Sequence, residues 1–114
     1  MELKRILEIQ REFDRKFGWN AYETCRTPED ILKFMEHFVL VMVEELGEIS
    51  RLRKQYLRDK QSFAMEKLKH ELIDIFIYFM QACIAVDMDL EKNYLEKLKY
   101  NEARFINNKK MIDP

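Results

Sequence analysis

Two glycines and two prolines are the only strong breaks in 114 residues, and wherever apolar residues recur regularly they do so near a 3.6-residue period. Strands joined by tight turns need more punctuation than that, so the chain is predicted to be all-α. The spacing of Leu3, Ile6, Leu7, Gln10, Phe13 and Phe17 predicts a helix over residues 2–17, with Gly18 as its stop. A loop from Trp19 to Arg26 follows. Thr27-Pro28-Glu29-Asp30 then supplies a hydroxyl N-cap, a proline at the first helical position and two acids that complement the helix dipole. The second helix should run to about Tyr56. Asp59 or Ser62 can cap a third that reaches about Val86, and Asp89 a fourth that reaches about Asn107, leaving a polar tail, 107–114, that should fray.

The expected architecture is one domain over residues 1–114, a four-helix bundle with long central helices. Helices two and three would each span roughly 36 to 40 Å at 1.5 Å per residue, long for a lone bundle of this size. The run Leu72, Ile73, Ile75, Phe76, Ile77, Tyr78, Phe79, Met80 is apolar on nearly every side, so a homodimer, or a tetramer built from dimers, is expected to cover it. Gly47 lies within helix two, where glycine costs about 1 kcal/mol relative to alanine. It marks either a close backbone approach or a tolerated neutral position.

Two carboxylate pairs, Glu45/Glu48 and Glu71/Asp74, interrupt these apolar stripes. A spacing of three sets the members of each pair about 60° apart on one helix face, so each pair can converge on one point. Phe38, Val41, Met42, Ile49 and Leu52 fall within about a quarter turn of Glu45, so the first pair should face the core, and Glu71 and Asp74 should meet little solvent. Four inward carboxylates lose hydration and repel one another, a penalty on the order of several kcal/mol per unpaired ion, unless protons or a cation join them. No histidine follows an acid by three residues: the two present, His37 and His70, follow Phe34 and Lys67 at that interval. The ferritin-like di-iron pattern is therefore missing, and oxygen-only ligation favours magnesium or manganese. The plainer alternative is a solvated acidic face paired with Arg51, Lys67 or Lys69.

Further along, Lys97, Asn101 and Arg104 fall at i, i+4 and i+7 on one face of helix four. Two cations and an amide so arranged can meet phosphates and a sugar or base, or form an ordinary solvated face. Formal net charge is minus one, from 20 basic and 21 acidic residues, so no global field draws in a nucleic-acid polymer or an anionic membrane. There is neither a signal-peptide core after Met1 nor an apolar run long enough to span a bilayer. Cys25 and Cys83 form no C-x-x-C pair, which excludes zinc ribbons and thioredoxin-type chemistry and suits a reducing compartment; a cytoplasmic address is expected.

Glu45-Leu-Gly-Glu48, 22 residues, then Glu71-Leu-Ile-Asp74 resembles the E-x-x-E and E-x-x-D pattern of the all-α nucleoside triphosphate pyrophosphohydrolases, the MazG-like and dCTPase-like enzymes. Asp74-Ile-Phe-Ile-Tyr78 resembles the D-x-x-I-Y of the dCTPase-like branch, and Lys97, Asn101 and Arg104 its K-x-x-x-N-x-x-R element. The likeness covers about residues 38–104. It implies hydrolysis of a nucleoside triphosphate at the α-phosphorus, to monophosphate and pyrophosphate, in the sanitation or control of a nucleotide pool. Glu45, Glu48, Glu71 and Asp74 would hold magnesium, with manganese as a substitute. Glu48 would orient or deprotonate the attacking water, and Glu44, turned about 100° away, would stand behind the cluster. Lys97 and Arg104 would hold the phosphates, and Asn101, Tyr78 and Trp19 the nucleoside, with Phe13 and Phe17 as further stacking surfaces or simple packing. That branch carries a tryptophan shortly after E-x-x-E, and Ile49 to Lys54 contains none, so the base preference is left open. The rival to an enzyme is a non-catalytic helical oligomerisation module.

Overall fold

The computed structural model describes residues 1–59 and 64–112. Four helices make up nearly all of it: α1 (Leu3–Phe17), α2 (Pro28–Asp59), α3 (Met65–Ala85) and α4 (Leu90–Ile112), with a short 3-10 helix, Ala21–Thr24, between the first two. No strand occurs among the described residues, and no helix there is long and apolar enough to cross a membrane.

The helix ends follow local chemistry. Gly18 takes a left-handed conformation, φ 74°, in which its own N–H donates to the Arg15 carbonyl and that of Trp19 to the Asp14 carbonyl, so the last turn of α1 is closed as a glycine stop requires. Thr27 and Asp30 cap α2 reciprocally: the Asp30 N–H donates to Thr27 Oγ1, and the Thr27 N–H to Asp30 Oδ2, each at 3.2 Å. Asp30 also accepts from the Arg26 N–H, and these backbone donors hold its carboxyl below the usual aspartate range. Asp89 caps α4 through the Lys92 N–H.

Three boundaries differ from expectation. α2 runs on through Asp59, so Asp59 is its last residue and not the cap of α3; α3 starts after Ala64, which has no side chain to cap it. Ser62, the other expected cap, lies outside the described residues. α4 continues to Ile112, so residues 107–112 are helical where a frayed tail was expected. Gly47 has nothing within 4 Å of the position a Cβ would take, so within one chain it is a neutral glycine and not a point of close approach.

α2 and α3 form a long antiparallel hairpin, against which α1 and the 3-10 helix pack through α3. Few side chains are truly enclosed, chiefly Tyr22, Leu52, Met80, Ala82, Cys83 and Ala85. Among them sits a carboxylate, Asp14, with 0% exposure. It accepts from Gln10 Nε2 at 2.8 Å, Tyr22 Oη at 2.6 Å and Gln81 Nε2 at 3.1 Å, which joins α1, the 3-10 helix and α3 at one atom group. Burial and the bond to Asp14 push the Tyr22 hydroxyl far above its ordinary pKa, so it stays a donor. An exposed ion pair, Arg15 Nη2 to Glu23 Oε2 at 2.6 Å, closes the same corner. Burial likewise pushes the Cys83 thiol up, in keeping with a residue that is no nucleophile.

The chain is not compact. Its radius of gyration is 18.3 Å, against about 13 Å for a compact domain of this length, and its accessible surface is 9576 Å², against about 6,700 Å² expected by scaling. α4 accounts for much of the difference, since every side chain from Glu91 to Asn107 except Asn101 is exposed. Replacing Tyr22 by phenylalanine strips one of three donors from a carboxylate that cannot reach water. The expected loss is about 1–3 kcal/mol, read as a lower urea midpoint with an unchanged slope.

Candidate functional site

The antiparallel register of α2 and α3 sets Glu45 opposite Glu71 and Asp74. One oxygen from each of these three carboxylates lies within 4.8 Å of the other two. Glu45 sits in the seam between the helices, and its Oε2 is enclosed without a hydrogen-bond partner. Loss of hydration, a shared hydrogen bond with Glu71 and the charges of Asp74, Glu71 and Glu48 raise the Glu45 carboxyl to about 7. No lysine or arginine pairs with any of the three among the described residues, while Arg51 pairs with Glu48 beside them, as the plainer alternative expected.

The two helices expose their carboxylates unequally. Glu71 is half-buried, as an inward residue should be, but Asp74 is exposed, contrary to the expectation that both meet little solvent. The reason lies in α3: Leu72 and Ile73, beside them, are 51% and 58% exposed, left uncovered by the described residues. Glu48 lies outside the three-oxygen group, with Oε1 3.5 Å from Arg51 Nη1. It remains close enough for its charge to act on Glu45. Glu44 is exposed, and its charge acts on Tyr78.

Tyr78, one turn beyond Asp74, lies on the carboxylate side as its spacing requires. It is half-buried, and its hydroxyl is raised by burial and by the charges of Glu45, Asp74 and Glu44. Trp19 forms an exposed aromatic cluster with Phe13 and Phe17, with ring centroids 4.8 to 6.2 Å apart. Trp19 and Tyr78 also line a cavity of about 730 Å³ between the 3-10 helix, α2 and α3, within the range of small-molecule sites.

Lys97, Asn101 and Arg104 lie on α4, which is not among the elements packed closely on the α2–α3 hairpin. Lys97 Nζ lies 4.6 Å from the Tyr100 ring centre, and the Arg104 guanidinium 5.2 Å from that of Phe105. Neither makes an ion pair among the described residues. Asn101 Oδ1 is enclosed without a partner.

The residues that sequence reasoning missed are Asp14 and Gln81. Asp14 carries a legible signal, because it falls four residues after Gln10 and three before Phe17, on the apolar stripe of α1. Gln81 carries none, since its role depends on a partner 67 positions away.

A carboxyl that titrates near 7 when folded and near 4.5 when unfolded binds its proton more tightly in the folded state. Stability contributed by that proton is present at low pH and lost as pH rises from 4.5 to about 7. Metal-free protein should therefore melt at a lower temperature at about pH 8 than at about pH 5, and Glu45→Gln should flatten that fall; an unchanged slope in the variant would remove Glu45 as its cause. Compared with protein-family models, characterised proteins and solved structures, the chain matches none.

Proposed function

We propose that the chain is a magnesium-dependent nucleoside triphosphate pyrophosphohydrolase that cleaves (d)NTP to (d)NMP and pyrophosphate. The observation that carries this reading is the three-carboxylate seam, with an enclosed and unpartnered Glu45 oxygen. The donor set is all hard oxygen from two helices, which fits magnesium or manganese and no softer metal. Glu45, Glu71 and Asp74 would hold the ion, with Glu48 at the edge of the group. When bound, the ion supplies positive charge to phosphate oxygens and makes water a stronger acid.

The remaining roles belong to the chain. Glu48, whose oxygens are not all committed to the cluster, orients the water that attacks the α-phosphorus and takes its proton. The bond to the bridging oxygen breaks and pyrophosphate leaves. Lys97 and Arg104 hold the phosphates and the leaving group, and Asn101, Tyr78 and Trp19 contact the nucleoside. The basic face of α4 does this when it packs against a carboxylate seam, its own or that of a second copy. We also infer a homodimer or a dimer of dimers. Supporting it, Leu40, Val43, Leu72, Ile73 and Phe79 are between 40% and 66% exposed on the two long helices, and such a surface is uncommon on a monomer.

Pyrophosphate release from a panel of NTPs and dNTPs, with magnesium, manganese or EDTA, tests the activity. Turnover should need the metal and should fall at least about 100-fold in Glu48→Gln, Glu45→Gln or Asp74→Asn, since loss even of outer partners in metal sites costs about 10–100-fold. Circular dichroism should show these variants as helical as the parent. No metal-dependent turnover by folded protein on any member of the panel would leave the oligomerisation module as the better account. Sedimentation should find twice or four times the chain mass, and a monomer at micromolar concentration would overturn the assembly.

A further inference from the structure

The cavity between the 3-10 helix, α2 and α3 is lined by Trp19 and Tyr78 and also by residues, Gln81 among them, to which the pyrophosphohydrolase reading gives no role. Glu71, Asp74, Tyr78 and Gln81 stand at i, i+3, i+7 and i+10 on α3, so the carboxylate seam and the cavity share one face of one helix. From Asp74 to Gln81 the axis rises about 10 Å, comparable to the reach of a nucleotide from its α-phosphate to the far edge of its base. Trp19, Phe34 and Tyr78 give the cavity aromatic sides, and Lys33, His37 and Gln81 give it polar groups.

Gln81 is a polar group on α3 whose orientation is determined. Its side-chain amide meets Asp14, a buried carboxylate that already accepts from Gln10 and Tyr22. A carboxylate only accepts, so the nitrogen of the amide must face Asp14 and the oxygen must face away from it. The amide cannot turn over without setting oxygen against oxygen in a group with no water to relieve it. Gln81 therefore brings to the cavity it lines an amide of fixed orientation, its oxygen turned away from Asp14 and one N–H of its nitrogen left over. A planar nitrogen heterocycle that offers an N–H matches it: the π-faces stack whatever the ring, and the acceptor selects the edge.

We propose that this cavity receives the nucleobase of the substrate and that Gln81 Oε1, held by Asp14, selects bases through an N–H donor. The proposal rests on the nucleotide reading above, and its test is separable from it. Trp19 is the only tryptophan of the chain and lines the cavity, so its fluorescence reports occupancy directly. Nucleoside monophosphates are titrated into the intact protein in EDTA, beside ribose 5-phosphate, and the tightest binder is then compared with its analogue methylated at each base nitrogen that carries hydrogen.

Nucleotides should quench Trp19 where ribose phosphate does not. Methylation at one nitrogen should weaken binding about ten-fold or more, the effect of an unmade buried hydrogen bond. Gln81→Met should weaken the unmethylated ligand similarly and erase the difference between the two. The methylated ligands test the unaltered protein, so the inference stays exposed even if Gln81→Met fails to fold. Equal binding of every methylated analogue, or quenching no greater than with ribose phosphate, would overturn it. In that case metal-dependent hydrolysis can still stand, with the base held elsewhere. Base-selective quenching without turnover on any triphosphate would instead keep the cavity and remove the hydrolase reading.

Discussion

A carboxylate with no access to water is costly unless every lone pair that matters is met, and Asp14 meets that condition with donors from three separate segments. The enclosed apolar side chains are few, so burial alone gives this corner little directional information. Hydrogen bonds that hold only at one distance and angle supply it. Tyr22 closes the turn after α1, Gln10 ties the bond to α1 itself, and Gln81 carries it to the central hairpin. The cavity beside them inherits its walls from that arrangement.

The carboxylate seam is the opposite case, a set of like charges left without partners. The Glu45 carboxyl is raised because it loses water and faces Glu71 and Asp74 together. Asp74 remains in solvent, and so the repulsion is relieved on one side only. The cation nearest in the described ion pairs, Arg51, is taken by Glu48 at the edge of the group. The seam stays acidic and half-open, with Glu45 half-buried and Asp74 exposed.

Much of this is legible in the sequence wherever the cause is local. The start of α2 can be read because Thr27, Pro28 and Asp30 act within one turn, and the end of α1 because Gly18 is the residue that accepts a left-handed backbone. The convergence of Glu45, Glu71 and Asp74 follows from two spacings of three in apolar stripes. What cannot be read depends on other segments or on surface. The start of α3 has no capping side chain at Ala64, and Asp59 ends α2 instead of marking it. The exposure of Asp74 depends on what does not pack against α3, and the separation of Lys97 and Arg104 from the seam depends on where α4 stands, which helical periodicity does not encode. Asp14 lay between these classes, with a pattern on α1 that needs Tyr22 and Gln81 to give it meaning.

Because the seam and the cavity lie along one pair of helices, α2 and α3, they are linked by phase. Each residue turns a helix by about 100°, so a single insertion between Phe34 and Glu45, or between Asp74 and Gln81, would swing one end by about a quarter turn off the shared face while leaving every local contact at the other end intact. Only changes near whole turns, such as seven or eleven residues, would preserve the alignment, and these would lengthen the gap by roughly 10 to 16 Å. The span between the two ends therefore behaves as a ruler of nearly fixed length, and related chains that differ in what they hold should differ by substitution along this stretch and not by insertion.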